Sequence, residues 1–184
     1  MNAELIVALD VASSRKALAA VDLLPPEVTW YKIGLELFSA EGPAVLQAVK
    51  SRRKNIFLDL KLHDIPRTVE RAVRAAVQHG ADMLTIHASG GRAMLKAASE
   101  AARASGRTPP KLIAVTALTS MDQQDLNDLG VNRSPAVHVV VLADLALKCG
   151  IDGLVCSPQE IETLRSRFGQ RPVIVTPGIR LPGG

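Results

Sequence analysis

The sequence predicts an α/β fold, a (β/α)8 (TIM) barrel with about seven of its strands present. Three observations predict it. Short apolar runs alternate strictly with helical patterns along the chain. Those runs are nearly continuous in Val, Ile and Leu, as strands covered on both faces are. Aromatic residues make up only 3% of the sequence, so the core must be built from aliphatic side chains. An open doubly wound sheet would share the alternation, but no G-x-G-x-x-G follows the first strand, which weakens its dinucleotide-binding version. The barrel explains more, with one strand and its helix missing from the end. At 184 residues the chain reads as a single barrel domain over 1–184, incomplete at the C-terminus.

The elements follow in order. Residues 5–10 form a first strand, and Ser13 or Ser14 caps a helix that runs to about Leu24, where Pro25-Pro26 ends it. A second strand spans 29–34, and Gly42-Pro43 opens a helix to about Ser51. A third strand covers 55–60 and a helix 68–79, with His79 at its end. A fourth strand covers 82–87 and a helix 91–104. A fifth strand, 111–117, is followed by a surface helix start near 121–125 and a helix over 135–149. Strand six is 152–156, Ser157 starts a short helix to about Arg167, and strand seven is 172–176.

Composition excludes several classes. The net charge is +4, but basic residues are spread out and the one run, Arg52-Arg53-Lys54, reads as a solvated loop, so no nucleic-acid partner is expected. Cys149 and Cys156 match no common zinc spacing and read as buried thiols of a reducing, cytoplasmic compartment. No apolar run is long enough for a membrane span, and the first residues lack the basic start of a signal peptide.

The informative charges stand at strand ends. Side chains alternate along a strand, so Phe57, Asp59 and Lys61 share one face while Leu58 and Leu60 share the other, which must meet helices. Asp59 and Lys61 then point into the barrel at its C-terminal end, where barrel enzymes carry their sites. The first strand ends in Asp10, and the second places Lys32 in an otherwise apolar stretch. Desolvating an unpaired charge costs several kcal/mol as an order of magnitude, so Asp10, Lys32, Asp59, Lys61 and Asp64 are expected to pair as an alternating network.

These residues carry a resemblance. Val7-Ala-Leu-Asp10, Tyr31-Lys32-Ile-Gly34 and Asp59-Leu-Lys61-Leu-His-Asp64-Ile65-Pro66 occur in order with His87-Ala-Ser-Gly-Gly91, residues 115–120 and residues 175–180. Together they resemble the bacterial orotidine 5′-phosphate decarboxylase family. The resemblance implies loss of CO2 from orotidine 5′-phosphate to give UMP, the last step of pyrimidine synthesis, by a homodimer with a shared active site and no cofactor or metal. It implies Asp59 and Lys61 against the substrate carboxylate and C6, and Asp10 and Lys32 at ribose hydroxyls, with Lys32 also tying the charges together. It implies Asp64, Ile65 and Thr68 reaching into the partner's site, Thr119 at the pyrimidine amide and Pro177 beside the base. The family's phosphate site needs a glutamine after strand seven and an arginine after strand eight; neither is present, and Arg180 is not assigned that role.

Two other readings stand beside it. One is a magnesium-dependent 3-keto-gulonate-phosphate decarboxylase or hexulose-phosphate synthase, which shares the D-x-K-x-x-D core. The His-Asp-Ile-Pro continuation and the Leu-Thr-Ser after strand five favour the orotidine enzyme over it. The other is a non-catalytic, nucleotide-binding barrel fragment. His63, inside the charged motif, reads as an exposed loop histidine, and the glycines of residues 87–91 as a tight strand-to-helix turn.

Overall fold

The structure, a computed structural model, describes residues 3–106 and 108–179. Within these residues seven parallel strands lie in the order β1-β2-β3-β4-β5-β6-β7. They are β1 (Ile6–Ala8), β2 (Trp30–Gly34), β3 (Asn55–Leu62), β4 (Met83–His87), β5 (Lys111–Val115), β6 (Gly153–Val155) and β7 (Val173–Val175). Each strand pairs with its neighbour in sequence, which is the order of a (β/α)8 barrel through seven strands.

Among the described residues eight α-helices connect them: α1 (Ser14–Leu23), α2 (Leu35–Glu41), α3 (Ala44–Lys50), α4 (Pro66–Gln78), α5 (Gly91–Arg103), α6 (Gln123–Asp128), α7 (Pro135–Lys148) and α8 (Ile161–Phe168). Local chemistry sets most starts. Ser13 caps α1 by accepting from the Lys16 N–H, and Asp122 forms a reciprocal capping box with Asp125 at α6. Helix α4 begins at Pro66, two residues before the sequence expectation, because proline at the first helical position lacks only an N–H that would have no partner. Helix α2 was not expected. It follows β2 directly at Gly34, with no side-chain cap to announce it.

Two apolar layers result from the alternation. Phe57, Met83 and Ile113 fill the barrel interior with Ile6, Trp30 and Val173. Ile56, Leu58, Leu84, Ile86 and Leu112 face outward and are buried under the helices with Val69, Val73 and Leu95. Each such Leu or Ile contributes about 1.5–3 kcal/mol by leaving water. The lower, N-terminal strand ends are tied by carboxylates: Asp82 pairs with Lys50 at 2.6 Å and accepts from the Ile56 N–H, and Asp152 accepts from the Leu112 N–H. That leaves the upper ends of the strands to carry other charges. Cys149 and Cys156 are buried free thiols, as expected, and burial beside Glu160 pushes Cys156 up to about 11.

Candidate active site at the C-terminal ends of β1 to β4

The upper ends of β1 to β4 bring charges together as two pairs. Lys32 donates from Nζ to Asp10 Oδ1 at 2.8 Å, joining β2 to the chain just past β1. Lys61 donates from Nζ to both oxygens of Asp59, at 2.9 and 2.8 Å. The side chain of Asp59 is 13% exposed and that of Lys61 33%, so the carboxylate is the deeper partner and the ammonium faces the mouth. Asp10, at 65%, is the most open of the four.

Gly34 lies between the pairs. It sits opposite Asp59 in register, and a Cβ there would lie 3.2 Å from Lys32 Nζ and 3.6 Å from Asp10 Oδ1. A side chain there would crowd that ammonium and require it to shift by a few tenths of an ångström.

The Asp59–Lys61 segment departs from a regular strand. Leu58 pairs with Leu84 and Leu62 with Ile86, so β3 takes four steps where β4 takes two. An even number of extra residues preserves parity: Leu58, Leu60 and Leu62 stay outward while Asp59 and Lys61 stay inward. Lys61 absorbs the irregularity with φ 50°, in the left-handed region a lysine rarely adopts. Its N–H donates to Thr85 Oγ1 at 2.8 Å, and Thr85 Oγ1 donates to Asp59 Oδ1 at 2.9 Å.

The five-charge network expected from the sequence is corrected to these two pairs. Asp64 makes no ion pair with either among the described residues. It turns back to accept from the Ile65 N–H at 2.7 Å, because the chain has already left β3 for α4. Asp64, Ile65 and Thr68 are all exposed, Ile65 at 66%. Thr119 lies in the exposed turn after β5, and Pro177 is exposed just past β7. Both therefore lie beyond the C-terminal ends of strands, on the same side as the ion pairs. Arg180 lies outside the described residues.

Thr85 and His87 belong to the corner; Thr85 was not singled out from the sequence, and His87 stood there only as the first residue of the 87–91 motif, with no site role. The signal that places both in the site is parity, since Met83, Thr85 and His87 share the inward face of β4. His63 is exposed, as expected, and its ring lies 5.2 Å from that of His87. Burial holds His87 below the ordinary histidine range; the positive charge of His63 and Lys61 adds to the effect and Asp59 opposes it. Among the described residues, no three His, Cys, Asp or Glu side chains are grouped as metal ligands, and no helix is long and apolar enough to cross a membrane. Two surface clefts, one at Lys50, Arg53 and Lys54 and one at Arg103, Pro109 and Lys111, adjoin the N-terminal strand ends, away from these pairs.

Parallel strands closing toward a barrel, with lysine–aspartate pairs at their C-terminal ends, define a barrel enzyme. Comparison with known proteins gives its family. The model of the orotidine 5′-phosphate decarboxylase / HUMPS family matches residues 3–184, and the chain belongs to that family. An orotidine 5′-phosphate decarboxylase of Nostoc sp. is 50% identical over 97% of this chain and 77% of its own length. One of Actinobacillus pleuropneumoniae serotype 5b is 46% identical over 100% of this chain and 80% of its own. Among solved structures, orotidine 5′-phosphate decarboxylase from Lactobacillus acidophilus superposes with a TM-score of 0.91 at 38% identity, covering 97% of this chain and 82% of that one.

Proposed function

We propose that this chain is a single barrel domain that converts orotidine 5′-phosphate to UMP and CO2, the last step of pyrimidine biosynthesis, in the cytoplasm. The observation that carries the reading is the Lys61 ammonium, held on Asp59 at the upper end of β3 with both groups turned inward. Decarboxylation breaks the bond between C6 and the carboxylate carbon. CO2 departs, and the electron pair stays in an in-plane orbital at C6 that the ring cannot delocalise. A fixed ammonium stabilises that pair and then gives C6 a proton, which Lys61 recovers from water. Asp59 is assigned a place close to where the substrate carboxylate must sit, and binding energy from the unreactive ribose and phosphate offsets that repulsion. Asp10 and Lys32 are assigned to ribose hydroxyls, Thr119 to the pyrimidine amide and Pro177 to the side of the base.

The test is to follow loss of the orotate chromophore when purified protein meets orotidine 5′-phosphate in EDTA. Rapid loss is the expected result. A requirement for added magnesium would move the chain to the magnesium-dependent members of the family. Tight UMP binding with no turnover would make it a binding protein only.

The exposure of Asp64, Ile65 and Thr68 supports a second part of the reading, a homodimer in which these residues complete the partner's site. Lys61→Ala and Asp64→Ala are then each inactive alone. Mixed and allowed to exchange subunits, they regain up to about a quarter of wild-type activity, because each heterodimer holds one intact site. Verified heterodimers without activity would end the shared-site assignment.

A further inference from the structure

The Lys61 backbone needs a partner that the sheet does not supply. Its N–H points toward β4, but the β3–β4 ladder is interrupted between Leu58 and Leu62. In place of a β4 carbonyl the N–H meets the hydroxyl of Thr85, at 2.8 Å. Thr85 is wholly buried, so this hydroxyl has no water to turn to. Its lone pair is engaged by Lys61, and its proton goes to Asp59 Oδ1 at 2.9 Å. A single oxygen therefore joins both members of the ion pair, one through its backbone and one through its carboxylate. The left-handed φ of Lys61 is an uncommon conformation for a residue with a side chain and persists only where its surroundings hold it.

We propose that Thr85 is a positioning residue for the decarboxylation. Its hydroxyl locks the β3 irregularity so that the Lys61 ammonium and the Asp59 carboxylate keep a fixed relation to each other. The inference rests on the decarboxylase reading for its catalytic consequence, while the bond itself is testable without turnover. Nothing in the pattern Met83-Leu-Thr-Ile-His87 marks the threonine, because a threonine in a strand is ordinary. What marks it is the geometry: both hydrogen bonds of its hydroxyl go to members of the ion pair, Lys61 and Asp59.

The experiment compares wild type, Thr85→Val and Thr85→Ser in the full protein. Four quantities are measured: kcat and KM on orotidine 5′-phosphate, UMP affinity, and hydrogen exchange of the Lys61 amide. Valine keeps the shape and removes the hydroxyl. The expected result is a fall in kcat of about 10²-fold, the scale of a misplacement of about 1 Å at a reacting group. KM and UMP affinity stay within about threefold, since binding contacts are untouched. The Lys61 amide exchanges faster in Thr85→Val, and serine restores both slow exchange and turnover. Should Thr85→Val not fold, Thr85→Ala, which removes the hydroxyl without adding a methyl group, takes its place in the same comparison. A hydroxyl-free variant with wild-type kcat overturns the inference, as does one with unchanged Lys61 exchange. A wild-type protein that does not turn over substrate would instead count against the decarboxylase reading, leaving the Lys61 exchange to decide the role of Thr85 in the site's geometry.

Discussion

Replacing Lys61 by alanine is expected to lower kcat by on the order of 10⁴-fold to 10⁶-fold, combining the loss of a proton donor with the loss of the charge that stabilises the C6 electron pair. The fold should survive. Lys61 is partly exposed, and its left-handed backbone is no easier for alanine than for lysine, so the strain is common to both proteins. Asp59, only 13% exposed, loses its cation but keeps the Thr85 hydroxyl, and the expected stability loss is about 1–2 kcal/mol, between that of an exposed and a buried pair. Lys61→Arg should not rescue turnover. A guanidinium keeps the charge but spreads it over a rigid fork and holds its protons too tightly to act as an acid. Turnover within tenfold of wild type for Lys61→Ala, at matched thermal stability, would remove Lys61 from the chemistry.

Much of this site is legible in the sequence. Period-two alternation put Asp59 and Lys61 inward, and the strand order followed from the repeated β-α pattern. The inward assignment survived an irregularity that the pattern did not reveal, because β3 inserts an even number of residues. An odd number would have turned Lys61 out of the barrel. What remained illegible depended on distance between elements. Asp64 is only three residues from Lys61 in sequence, yet the turn into α4 takes it to the surface. Thr85 and His87 are more than twenty residues from Lys61, yet the parallel pairing of β3 and β4 places them beside it. Helix α2 escaped notice because its start has no capping side chain. Its far end is tied down by tertiary contact instead, with Glu41 accepting from both the N–H and the hydroxyl of Ser14.

The largest stability effect is expected at Gly153, far from the reacting groups. β6 is only three residues long, and it lies between β5 and β7. Gly153 sits opposite Ile113 on one side and Val173 on the other. A Cβ at Gly153 would lie 2.8 Å from both Ile113 Cδ1 and Val173 Cβ, and closer still to the Val173 carbonyl oxygen. Ile113 can change rotamer, but a backbone oxygen moves only with its strand. Gly153→Ala must therefore push β7 away from β6, where three register pairs hold them together. The expected loss is about 3 kcal/mol, the upper end for forcing a methyl group into a packed core. In a chain of this size that lowers Tm by roughly 6–12 °C. Val173→Ala added to Gly153→Ala should not recover the loss, since alanine keeps the Cβ of residue 173 and leaves its carbonyl in place. If Gly153→Ala melted within about 1 °C of wild type, corresponding to only a few tenths of a kcal/mol, the close approach of β6 and β7 would be disproved. With it would go the tight strand packing that carries Pro177, just past β7, toward the mouth of the barrel.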